Sequence, residues 1–203
     1  MKSTFVTFAA AVAVLALVSS FAFVPGGAEV GKAAPEFALK GIDGKTYAIS
    51  NFKGKVVVLE WTNPNCPYVQ RVYKSGIMRG VQKKYADKVV WLTVNSTHPK
   101  HQDFEKSEDL DKTYKDWIAT FATMLLDPDG NVGRMYDAKT TPHMYIIDKE
   151  GKLVYAGAID DDPRGRSSEK TNYVDAALTS MFEGKAVTTT STRSYGCTIK
   201  YAP

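Results

Sequence analysis

Two cysteines, Cys66 and Cys197, are the only thiols in 203 residues, and their surroundings decide what sulfur chemistry is open to the chain. Cys66 follows an apolar run, Lys55 to Trp61, and precedes Pro67, a residue favoured at the first position of a helix. Unpaired backbone N–H groups and the helix dipole stabilise an anion at that point, so the placement favours the nucleophilic thiolate. A buried, inert cysteine is the plainer alternative. Trp61, Asn63, Asn65 and Tyr68 make the surrounding loop polar and aromatic rather than a packed apolar interior, which favours function. Thr141-Pro142 is the second feature. A proline there has no N–H for a sheet ladder and belongs at a strand end or in a cis turn. Beside a reactive cysteine, such a turn leaves backbone groups free to pair with a substrate strand. His143, next to it, either tunes Cys66 or packs at a strand edge.

Other groups carry less. His98 and His101 flank Pro99 without two further ligands, and Asp160-Asp161-Asp162 lacks a glycine-spaced cation loop, so no metal or cofactor is expected. No phosphate-binding glycine loop is visible, and 26 basic against 22 acidic residues leave a mild +4 that does not point to nucleic acid.

The elements that must position these residues follow an α/β order. Phe37 to Leu39 and Tyr47 to Ile49 form a small hairpin across the Asp43-Gly44 turn. Lys55–Trp61 and Lys88–Val94 are strands buried on both faces. A helix-length segment runs from Pro67 to about Tyr85, and a second helical pattern covers Asp103 to Thr120 with Leu110, Tyr114, Trp117, Ile118 and Phe121 at helical spacing. Met124–Leu126 is a short strand and Val132–Tyr136 a brief helix. His143–Asp148 and Lys152–Ala156 form a hairpin across Glu150-Gly151, and Thr171–Phe182 is the last helix. A mixed central sheet flanked by helices results.

The N-terminus reads as an address. Lys2, the uncharged run Phe5–Val18, the small residues Ser19, Ser20 and Ala22, and Pro25-Gly26-Gly27-Ala28 have the order of a signal peptide, with cleavage at Ala22 or Ala28. An apolar run stretched to Val24 admits an uncleaved membrane anchor instead. The expected organisation is a signal peptide over 1–28, one domain over 29–184, and a tail over 185–203 that carries Cys197. Export to a periplasmic or extracellular space would let disulfides persist.

Val30–Leu39, Asp43-Gly44-Lys45 and Gly54–Trp61 resemble the opening of the redoxin family, thioredoxin-fold proteins related to thioredoxins and to alkyl hydroperoxide reductase-type peroxiredoxins. Thr141-Pro142 through Asp148, with Gly151–Val154, is similar to that fold's cis-proline strand and hairpin. Tyr195-Gly196-Cys197-Thr198-Ile199-Lys200-Tyr201 resembles the C-terminal segment of a peroxiredoxin-like subgroup. The resemblance implies a thioredoxin fold over Val30–Phe182 and a catalytic Cys66, with Asn63, Pro67, Trp61, Thr141, Pro142 and His143 around its cleft.

Two departures qualify the resemblance. Asn63 stands where many redoxins carry the first cysteine of Cys-x-x-Cys, so the ordinary dithiol mechanism is closed. Peroxiredoxins want Thr or Ser at that same place and an arginine where this chain has Pro142, which puts peroxidase activity in doubt. Arg134, Arg164 and Arg166 are the arginines that could stand in. Cys197 can serve as a resolving cysteine if the tail folds back, can form a permanent staple, or can stay unpaired. Three readings stand: a thiol-disulfide oxidoreductase acting on protein thiols and disulfides with an external reductant, a peroxidase acting on small hydroperoxides, and a binding module without turnover.

Overall fold

The computed structural model describes residues 27–202; the expected signal segment lies outside the described residues apart from Gly27 and Ala28. Seven strands form one mixed sheet: β1 (Ala38–Gly41), β2 (Thr46–Ala48), β3 (Val56–Trp61), β4 (Val89–Asn95), β5 (Thr123–Leu126), β7 (His143–Ile147) and β8 (Leu153–Gly157). Their order is β2-β1-β5-β4-β3-β7-β8. β3 lies inside the sheet, parallel to β4 and antiparallel to β7, and all six of its residues are buried, Glu60 among five apolar ones. Two short strands, β6 (Thr140–Thr141) and β9 (Cys197–Thr198), make a separate antiparallel pair. The helices are α1 (Pro67–Lys74), α2 (Ile77–Lys84), α3 (Ser107–Asp116), α4 (Asn131–Met135) and α5 (Tyr173–Phe182). This is the α/β thioredoxin fold.

The sheet divides the core in two. One face packs Val56, Val58, Met144 and Ile146 against Val69, Val72 and Tyr73 of α1, with Cys66 in the same cluster. The other packs Val57, Leu59, Trp61 and Tyr145 against Phe37 and Tyr136. Strand alternation assigns these faces.

Three expectations change. The helix expected from Pro67 to Tyr85 is two helices, because Gly76 takes a left-handed φ of 82° and restarts the chain as the cap of α2. The helix expected over Asp103–Thr120 is shorter: α3 ends at Asp116, and Ile118 takes φ 55° and lies 68% exposed. Trp117 and Phe121 still pack on the core from the loop. The tail after Gly184 crosses back over the sheet end, and β9 pairs with β6 beside Pro142.

Candidate active site

The site forms where β3 ends and α1 begins. Asn63 makes the turn: its side-chain Oδ1 accepts from the Asn65 N–H at 2.7 Å, and its Nδ2 donates to Thr97 Oγ1 at 3.0 Å. Its carbonyl accepts from the Cys66 N–H at 3.0 Å, closing the loop. Asn63 thus holds geometry and supplies no electrons. Cys66 is the N-cap of α1 with extended φ and ψ of −84° and 120°, and Pro67 occupies the first helical turn. The N-cap is where a helix's unpaired N–H groups converge.

The Cys66 Sγ donates to the Thr141 carbonyl at 3.0 Å, and the Thr141-Pro142 peptide bond is cis. Thr141 is also the register partner of Cys197 across β6 and β9. The tail therefore lays Cys197 over Cys66, and the two line the same small cavity. Burial first, then the neighbouring Cys66 side chain and its charge, push the Cys197 thiol up to about 12. Cys197 stays protonated near neutral pH. Cys66 is only 2% exposed, and the cavity between Thr62, Cys66, Thr141 and Cys197 holds about 10 Å³. That is barely one water's worth of space. A far larger cavity of about 610 Å³ lies at the opposite end of β3, beside Phe52, Val57 and Ile147, and holds neither cysteine.

The structure brings together Cys66, Cys197, Asn63, Pro67, Thr141 and Pro142. It leaves Trp61 and His143 on the other face. Trp61 is fully buried between Tyr136 and Tyr145 and donates to Ser96 Oγ at 3.0 Å. His143 accepts the Lys139 N–H on Nδ1 at 3.3 Å and packs its ring, tilted by 44°, against Tyr145. Burial, above all, lowers its pKa to about 4, so it is neutral at ordinary pH. Both are opposite one another in the β3–β7 register and alternate away from α1, which removes them from the cleft. Arg134 is tied to the Asp129 and Ala202 carbonyls, while Arg164 and Arg166 are exposed on a loop. The hydroxyl of Thr62 pairs with Tyr114 instead of the thiol.

Sequence reasoning missed the groups that hold the tail. Tyr195 OH donates to Asp160 Oδ1 and accepts from Arg71 Nη2 at 2.6 Å, while its ring lies 5.9 Å from that of Tyr68. Downstream, Tyr201 OH donates to the Ala138 carbonyl at 2.8 Å and its ring lies under the Arg134 guanidinium. Also missed was Glu60, fully buried on the α1 face. It accepts from Tyr73 OH at 2.9 Å and Trp91 Nε1 at 2.9 Å, and burial raises its pKa to about 7.

The AhpC/TSA family model matches residues 30–156, well over half of the chain. The chain belongs to the AhpC/TSA family. It is 30% identical over 127 residues to the thioredoxin-like protein YneN of Bacillus subtilis, covering 63% of this chain and 70% of that protein. It is 27% identical over 133 residues to the thiol-disulfide oxidoreductase ResA of Bacillus thuringiensis, covering 62% and 68%. Among solved structures, an uncharacterized conserved protein from Geobacillus kaustophilus superposes with a TM-score of 0.77 at 29% identity, covering 86% of this chain and 93% of its own. A putative thiol:disulfide interchange protein DsbE from Chlorobium tepidum gives 0.52 at 29%, covering 64% and 85%. These relatives place this AhpC/TSA protein among thioredoxin-fold thiol oxidoreductases; the peroxiredoxin-like subgroup expected from the tail is not among the relatives named.

Proposed function

We propose that this thioredoxin-fold oxidoreductase exchanges disulfides through a pair made of Cys66 and Cys197. The observation that carries the reading is the register of β6 against β9, which sets Cys197 over Cys66 on the Thr141 carbonyl. In the reducing direction, the Cys66 thiolate attacks one sulfur of a partner disulfide and the other partner sulfur leaves as a thiolate. Cys197 then gives up its proton and attacks Cys66 Sγ, releasing the second partner thiolate. The two partner thiolates take up the two protons lost by the chain's thiols. The chain ends with a Cys66–Cys197 disulfide, which an external dithiol reductant reopens.

Exchange on protein disulfides is favoured over peroxide reduction. Among the described residues no arginine donates a hydrogen bond to Cys66, and Thr62 is engaged by Tyr114, so nothing polarises a peroxide there. The apolar N-terminal run supports export, which keeps such a pair in an oxidising space.

Thiol counting by mass-tagging tests the reading. The expected result is one internal disulfide that opens under mild reductant and re-forms with a disulfide substrate, and that is absent from both Cys66→Ser and Cys197→Ser. A bond that resists mild reductant, or that never forms, overturns it. Re-formation driven faster by hydrogen peroxide than by disulfide would replace exchange with peroxidase chemistry.

A further inference from the structure

The strand that covers Cys66 has the features of a bound peptide. Cys197 and Thr198 pair antiparallel with Thr141 and Thr140, the backbone addition by which an extended peptide joins a free strand edge. Each residue ahead of the cysteine has its own recess. Tyr195 places its hydroxyl between Arg71 and Asp160 and its ring beside Tyr68. That recess has spare polar capacity, since Arg71 Nε and Nη1 and Asp160 Oδ2 are buried and make no hydrogen bond among the described residues. Gly196 has φ 134°, which L side chains rarely adopt, and a Cβ there would overlap the Thr141 carbonyl oxygen. The position accepts glycine and rejects everything larger.

We propose that Tyr195–Thr198 is the resident ligand of this groove, and that the groove selects extended partner segments of the form aromatic-Gly-Cys that displace it. The inference rests on the exchange reading above and names the substrate class of that site. With Cys66 at 2% exposure, no external disulfide reaches it until the tail lifts, so Tyr195 acts as a positioning residue that sets how often the groove opens.

The reacting step is a simple exchange. Cys66 thiolate attacks the peptide sulfur of a peptide–thionitrobenzoate mixed disulfide; the old S–S bond breaks, a Cys66–peptide S–S bond forms, and coloured thionitrobenzoate thiolate leaves. The test uses the full chain with Cys197→Ser and the peptide Ser-Tyr-Gly-Cys-Thr-Ile, against the same peptide with Ala for Gly. Adding Tyr195→Phe, which keeps the ring, and Tyr195→Ala, which removes it, loosens only the tail. Losing hydrogen bonds to charged groups shifts such an equilibrium by about ten- to a hundredfold, so both variants should accelerate thiolate release by at least about tenfold. The Ala peptide should stay at least about tenfold slower with the folded chain and match the Gly peptide with the urea-unfolded chain.

Equal rates for the two peptides on the folded chain, or no acceleration by either Tyr195 variant, overturn the proposal. Hydroxyethyl disulfide separates the two levels. If it reacts at Cys66 while the peptides are not distinguished, only the groove's selectivity fails. If the folded chain exchanges with none of the three while the unfolded chain does, the exchange reading fails with it.

Discussion

At the scale of single residues, the two thiols differ in what surrounds them. Cys66 sits at a helix start, while Cys197 is held protonated by burial and by Cys66 itself. Only the thiolate reacts, and its fraction rises about tenfold per pH unit below the pKa. Alkylation of Cys197 in the reduced chain, followed by peptide mass, should therefore keep climbing about tenfold per pH unit between about pH 9 and 11, where an unshifted thiol would level off; a plateau in that range would contradict the raised pKa. Glu60 makes a second prediction. Its carboxyl titrates at about 7 when folded against an ordinary 4.5. Between those values the folded state holds a proton that the unfolded chain has lost, so stability falls as pH rises through the window and then levels off. The total is on the order of 3 kcal/mol. Glu60→Gln should remove that falling contribution from a stability-against-pH curve measured by denaturant unfolding, leaving a curve that rises with pH where His143 titrates. His143 works the other way: its lowered pKa makes the fold lose stability as pH falls from about 6.5 toward about 4.

Elements explain which parts of the site could be read from the chain. β3, the Asn63 loop, Cys66 and Pro67 are contiguous, so a buried run, polar turn residues and a helix-starting proline were legible together. Thr141-Pro142 was legible because proline constrains its own place in a sheet. The face on which Trp61 and His143 fall was not, because the loop from Thr62 to Cys66 breaks the strand's alternation and hides which parity faces α1. Gly76 was the available signal for the break between α1 and α2, although Gly80 in the same stretch stays inside α2. Gly76→Ala should cost about 1 kcal/mol in equilibrium unfolding, the penalty for a side chain in a left-handed conformation. A stabilising effect would show that the break is not fixed by that backbone angle.

The whole molecule decides the rest. Arg71, Asp160 and Tyr195 are common residue types 89 and 124 positions apart, and no local pattern links them. Only the returning tail makes them a site. Closing a loop of about 130 residues with a Cys66–Cys197 bond should stabilise the chain by about 5 kcal/mol in the loop-entropy model. Oxidised protein should thus melt roughly 10 °C above reduced protein by calorimetry. Equal melting temperatures would show that the tail's docking constrains the reduced chain as much as the bond does.

The crossing of the tail over β6 also orders events in time. Cys66 leaves the ribosome about 130 residues ahead of Cys197, an interval of roughly ten seconds at ordinary elongation rates. Throughout that interval Cys66 lacks its covering strand, and any oxidant or foreign disulfide meets it unshielded. Completing synthesis is what supplies the strand that buries its sulfur.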